Sequence, residues 1–235
     1  MKGLKPFFCY YGGKWRAAPH YPAPKYDRII EPFAGAAGYS TRYPHKKVVL
    51  YEKDPNLLTL WDYLINVSES EVRALPLLGR DGLVSDLKCS AAARILIGFW
   101  TNKASSAPRN QFSSWGKAGT HSDSHWGEAI RDRVASQVSS IRHWSVREDY
   151  NNARDWFATF FVDPPYQKAG KHYQRPFTDF DGLGEFCKSL SGQVIVCEAE
   201  GANWLPFKPF RAIKAAAGTK REGISKEVIW LNDAE

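Results

Sequence analysis

The chain has 235 residues, enough for one α/β domain with an embedded lobe and a sizeable core. A net charge of +7, with 9 Trp, 11 Tyr and 13 Phe, describes a basic surface supplied with stacking platforms, a composition suited to polyanions. Four scattered cysteines (Cys9, Cys89, Cys187, Cys197) form no CxxC pair and no closely spaced His completes a zinc site, no segment has the ~18 apolar residues of a membrane span, and no repeat, heptad run or low-complexity tail is present, which argues against zinc, disulfide-scaffold, membrane-spanning and fibrous classes.

The N-terminal MKGLKPFFCYYGGKW lacks the apolar core of a secretory signal, so reduced thiols and a cytoplasmic location are expected. Within it, Tyr10-Tyr-Gly-Gly-Lys14 is a glycine-rich turn carrying a cation, able to close over a carboxylate or a phosphate, or to serve as an ordinary terminal loop. Tyr26–Glu31 reads as a strand that ends at Pro32 and the small-residue turn Phe33-Ala-Gly-Ala-Ala-Gly38, with a helix expected from Tyr39 to Tyr43. Lys47–Glu52 is a second strand, and Leu57, Leu60, Trp61 and Leu64 predict a helix over Asn56–Leu64. This alternation predicts a mostly parallel α/β sheet with helices on both faces.

From Ser68 to Ser124 the pattern loosens, apart from a buried helix expected at Ala91–Trp100. Thr101–His121 is polar, small and basic, setting Phe112 and Trp115 among Lys103, Arg109 and Lys117, and a loop of that length is functional or disordered. A helix is expected at Ala129–Trp144, carrying Arg131 and Arg133, followed by a strand at Ser145–Asp149. Phe160–Val162 reads as a buried parallel strand, Leu183–Leu190 as a helix, and Gly192–Glu198 and Val228–Leu231 as later strands.

Two features carry chemistry. Glycines in the turn after the first strand suit a tight bend or a close backbone approach, and Glu52 ends the next strand some 20 residues on, placed to accept hydrogen bonds from a ribose. Together they suggest an adenosine-containing cofactor; without GxGxxG or a P-loop lysine, NAD and ATP fit less well than another nucleoside. The second feature is Asp163-Pro-Pro-Tyr166 at the end of the Phe160–Val162 strand. Asp163 and the Pro164 carbonyl can accept hydrogen bonds from an exocyclic amine, Pro165 stiffens the turn, and Tyr166 offers a ring to stack on.

The series YYGGK, EPFAGAAG, YEKDP and DPPY, in that order from Tyr10 to about Trp230, resembles the Dam-like (D12 class) DNA adenine N6-methyltransferases in their alpha arrangement. The resemblance implies a Rossmann-like class I methyltransferase sheet, residues 1–67 and 129–235 forming an S-adenosylmethionine-binding catalytic domain around a small target-recognition insert at 68–128. It implies cofactor binding by Tyr10, Tyr11, Gly12, Gly13, Lys14, Glu31, Phe33, Gly35, Gly38, Glu52, Asp149 and Asp163, and catalysis by Asp163, Pro164, Pro165 and Tyr166, with Lys14 near the cofactor or target amine. The second glycine of the family's FxGxG turn is replaced here by Ala37, with Gly38 one place later. Double-stranded DNA is the implied partner, with Lys103, Arg109, Lys117, Arg131, Lys171, His172 and Tyr173 as candidate contacts. No metal and no stable protein partner are implied, although such enzymes can function beside a cognate restriction endonuclease. An RNA adenine methyltransferase and a non-catalytic basic DNA-binding module are the alternatives, while Asp163 speaks against the NPPY chemistry of protein glutamine methyltransferases.

Overall fold

The computed structural model describes residues 3–102, 105–117, 124–167, 177–214 and 224–232. In chain order its elements are β1 (Arg28–Glu31), β2 (Lys47–Tyr51), α1 (Pro55–Asn66), α2 (Glu69–Arg73), α3 (Ala91–Phe99), α4 (Ser114–Lys117), α5 (Glu128–Val138), β3 (Ser145–Arg147), β4 (Phe157–Val162), α6 (Phe180–Ser189), β5 (Ser191–Ala199), β6 (Lys208–Lys214) and β7 (Ile224–Leu231). The seven strands form one sheet in the order β3-β2-β1-β4-β5-β7-β6. β1 through β5 pair in parallel, and β7 runs antiparallel between β5 and β6. Strand order therefore reverses between β1 and β4, and the crevice beyond their carboxyl ends is where open α/β sheets receive ligands.

The period-two alternation of the strands divides the core. Ile29, Leu50, Phe161 and Ile195 face a cluster completed by α1, α3 and α5, while Ile30, Val49, Phe160 and Val194 face the cluster of α6 with Tyr150 and Ala153. Helices thus cover both faces, and the central strands are largely apolar because neither side meets water. The α1 helix begins with Pro55 in its first turn and with the Asp54 side chain accepting from Asn56 N at 2.8 Å, both ordinary starting devices. Residues 68–128 are joined to this core: Val72, Leu96, Phe99, Trp100 and Trp126 share the first cluster with α1.

Several elements differ from expectation, among them α2 and α4, which form where the sequence pattern loosens. Tyr39–Tyr43 is a single 3-10 turn at Ser40–Arg42, because Tyr43 precedes Pro44 and leaves the helical region at φ −126° and ψ 55°. The Ala129–Trp144 helix stops at Val138 and tightens into a 3-10 turn over Ser139–Ile141. The β6 strand was not anticipated. Its Pro209 breaks the sequence pattern, yet is tolerated because β6 is an edge strand with a register shift between Pro209 and Arg211. Among the described residues, no helix is long and apolar enough to cross a membrane.

Candidate functional site

A cavity of about 300 Å³ opens at the β1/β4 switch point. Its wall is built from the Tyr10–Lys14 turn, the segment from Glu31 to Gly38 after β1, Glu52 to Asp54 after β2, and Asp163 with Pro165 after β4; Tyr150 and Phe177 to Asp179 close one side. The volume falls at the lower end of the range for small-molecule sites. An aromatic wall contributes to it, with the Phe33 ring 5.0 Å from Tyr150 and 5.5 Å from Phe177 between centroids.

The turn after β1 is pinned from several directions. Gly35 N donates to Glu52 Oε2 at 3.0 Å, Trp61 Nε1 donates to Gly35 O at 2.8 Å, and Ala34 N donates to Tyr51 O at 3.0 Å. Glu52 Oε1 also accepts from Lys53 N at 2.9 Å and Asp54 N at 3.0 Å, so its carboxylate is held at the cavity rim. Burial pushes the Glu52 carboxyl above its usual range, and the three backbone donors pull it back. Gly35 adopts φ +47°, and a Cβ there would meet the Tyr10 ring at 3.2 Å. Ala37 shares φ 47° and is the one non-glycine residue with positive φ among those described.

Ala37, where the resembled FxGxG turn has its second glycine, thus occupies a left-handed position. Left-handed backbone costs an L-residue about 1–2 kcal/mol. Ala37→Gly should therefore be nearly neutral, relief of that strain offsetting a lost buried methyl worth about 0.8 kcal/mol. The same change at the neighbouring buried Ala36 should cost about 1–2 kcal/mol, having no strain to relieve. Chemical denaturation of both variants checks this, and equal losses would refute it.

On the other side of the cavity, Lys14 Nζ lies 3.0 Å from Asp163 Oδ1 and 3.3 Å from Glu227 Oε1. It also stands 4.6 Å from the centroid of the Tyr166 ring, a cation–π contact. The Tyr166 hydroxyl donates to Glu227 Oε1 at 3.1 Å and the Tyr21 hydroxyl to Glu227 Oε2 at 2.8 Å. Asp163 is pushed up to about 6, chiefly by burial and secondarily by Glu227, with Lys14 opposing. The exit from this turn is held as well, since Gln167 N donates to Glu198 Oε1 at 2.8 Å from the end of β5.

Glu31, on the cavity floor, accepts from Ser40 N at 2.8 Å and is pushed up to about 8, burial outweighing the Ser40 hydrogen bonds. A carboxyl with its folded pKa raised holds a proton that the unfolded chain releases, so its stabilisation is complete below about 4.5 and lost as pH rises through about 8. Between pH 6 and 8, Glu31→Gln should flatten the fall in unfolding free energy, relative to wild type, by about 1 kcal/mol per pH unit. Urea titrations at pH 6, 7 and 8 measure it, and parallel wild-type and variant slopes would contradict it.

Of the expected cofactor residues, Tyr10 to Lys14, Glu31, Phe33, Gly35, Gly38, Glu52 and Asp163 all reach the cavity. Asp149 does not line it: it is exposed, and its Oδ1 accepts from Asn151 N at 3.0 Å, capping the 3-10 turn that presents Tyr150. Pro164 and Tyr166 do not line it, while Pro165 does. Lys53, Asp54, Tyr150 and Phe177 to Asp179 were missed, as was Glu227; only their nearness in sequence to Glu52, Asp149 and DPPY hinted at the first six.

Among the basic candidates, Arg109 is exposed and its Nε lies 3.4 Å from Ser105 Oγ. Ser105 O in turn accepts from Tyr11 N at 3.1 Å, so this part of the insert borders the site. Lys117 pairs with Asp81 at 3.2 Å. Arg131 donates to Leu75 O at 3.1 Å, and Arg133 donates to Pro6 O at 3.4 Å and stacks on Trp100 at 4.9 Å, so both are engaged within the fold. Lys103, Lys171, His172 and Tyr173 lie outside the described residues.

No protein-family model and no curated protein matches the chain. A solved structure described as a conserved hypothetical protein of Streptococcus pyogenes is similar over 92% of this chain and 89% of that one, at 14% sequence identity and a TM-score of 0.35.

Proposed function

We propose that this chain is an S-adenosylmethionine-dependent DNA adenine N6-methyltransferase built on a Rossmann-like class I methyltransferase sheet. One observation carries the reading: the Gly35 turn with Glu52 and the DPPY aspartate, Asp163, arise from three different strands yet open onto a single cavity at the switch point. The cradle fits a nucleoside cofactor, for Glu52 is a rigidly held acceptor suited to a ribose diol, and Phe33, Tyr150 and Phe177 supply apolar surface for a purine.

When bound, S-adenosylmethionine supplies an electrophilic methyl on a sulfonium. The chain's own residues then do the positioning. Asp163 and the Pro164 carbonyl accept hydrogen bonds from the target amine, withdrawing its lone pair from conjugation with the ring, and Tyr166 supports the flipped base. Fixing the amine in line with the methyl is where most of the rate arises, as aligned reactants gain roughly 7–11 kcal/mol in favourable cases. The net charge of +7 supplies attraction to phosphates, which weakens as salt rises.

The deciding experiment offers labelled S-adenosylmethionine to unmethylated duplex DNA, matched RNA and protein lysate, and resolves the labelled products. N6-methyladenine in DNA is the expected result. Label confined to RNA or protein would overturn the substrate, and the absence of cofactor binding would overturn the whole reading.

A further inference from the structure

Glu227 lies on β7 opposite Ala199 of β5, is 6% exposed, and was given no role by the motifs. Two phenol hydroxyls fix its two oxygens: Tyr21 at 2.8 Å on Oε2 and Tyr166 at 3.1 Å on Oε1. The Lys14 ammonium sits 3.3 Å from Oε1 while also 3.0 Å from Asp163 and 4.6 Å from the Tyr166 ring centroid. It therefore occupies the place beside Asp163 and Tyr166 that the proposed function reserves for the target amine and its ring. Both cannot be there together. Expelling the ammonium to water would leave Glu227 as a buried carboxylate with no countercharge, which is strongly unfavourable. Rotating the flexible lysine stem so that Glu227 is its remaining carboxylate partner avoids that cost.

We propose that Glu227 is a positioning residue that retains Lys14 inside the site when the target amine takes its place on Asp163. The proposal rests on the methyltransferase reading. The lysine exchanges one carboxylate for another, the charge of the pocket stays balanced, and Asp163 is released to the amine. The tyrosine hydroxyls explain why Glu227 can do this, since they hold its carboxylate in place as the lysine moves.

The test compares acetylation of Lys14 by acetic anhydride, read by mass spectrometry, in full-length wild type, Asp163→Asn, Glu227→Gln and the double variant. Asp163→Asn should leave Lys14 protected within about twofold, because Glu227 still holds it, while the double variant should react at least about tenfold faster. In parallel, Glu227→Gln should lower kcat/KM on duplex DNA about tenfold with cofactor affinity nearly unchanged. Tyr21→Phe, which removes one of the two hydroxyls fixing Glu227, should shift transfer in the same direction and stands in if Glu227→Gln does not fold. Exposure of Lys14 by Asp163→Asn alone, or a wild-type kcat/KM in a folded Glu227→Gln, overturns the proposal. If wild type transfers no methyl to nucleic acid while the acetylation pattern holds, the lysine's second anchor stands and the methyltransferase reading falls.

Discussion

On the proposed methyltransferase reading, Asp163→Ala will reduce methyl transfer by on the order of 10³-fold while leaving S-adenosylmethionine affinity within about threefold. The carboxylate sits at the end of β4, on the side of the cavity away from the rim that holds Glu52, so its loss removes the acceptor for the target amine without disturbing the ribose cradle. Its protonation should be visible in the rate. Protonation weakens Asp163 as the acceptor that shares the target amine with the Pro164 carbonyl, so kcat/KM of wild type should rise through about pH 6 and be lost below it. Glu227 raises that pKa and Lys14 lowers it; Glu227→Gln should thus move the acidic limb down and Lys14→Met should move it up. Equilibrium dialysis with labelled cofactor, set beside pH–rate profiles on duplex DNA, supplies both readouts. A folded Asp163→Ala protein with near-wild-type turnover would remove Asp163 from the mechanism, and a flat profile between pH 5 and 7 would remove its charge from it.

How much of this was legible beforehand depends on the range of the interactions concerned. The parallel strands were readable because their apolar runs are short, β-branched and bounded by breakers, and α1 because Leu57, Leu60, Trp61 and Leu64 mark one helical face. The β6 strand was not, since it is defined by pairing with β7 rather than by its own pattern, and Pro209 argued against it. The same division runs through the site. Lys14, Gly35, Glu52 and Asp163 stand at breaks in local structure and announced themselves. Glu227 sits mid-strand with ordinary neighbours, and its importance arises only when Tyr21, Tyr166 and Lys14 are brought to it across separations as long as 206 residues. Arg131 and Arg133 show contacts that their charge did not suggest. Their charge suggested phosphate contacts; in the fold each gives one donor to a carbonyl of another segment, and Arg133 also stacks on Trp100.

Gly38→Ala should cost roughly 10²-fold in turnover although Gly38 bears no functional group. A Cβ at this position would lie 2.5 Å from Trp15 N and 2.8 Å from the Lys14 carbonyl carbon, distances that real contacts do not allow, so the Lys14–Trp15 backbone must retreat. That backbone is tethered, with Trp15 Nε1 donating to Leu4 O at 2.7 Å and Lys14 bridging Asp163 and Glu227. A shift of about 1 Å there pulls the ammonium from both carboxylates, and misplacement on that scale is enough to cost 10²-fold. Gly79→Ala is the control, for a Cβ there meets nothing within 4 Å and activity should be unchanged. The mechanism is tested by a cycle. If Gly38 acts through Lys14, then Gly38→Ala added to Lys14→Met will cost little beyond the single Lys14→Met variant. Losses that multiply would show that the close packing serves the cofactor turn instead, and full activity in Gly38→Ala would show that the Tyr10–Lys14 turn yields without moving the lysine.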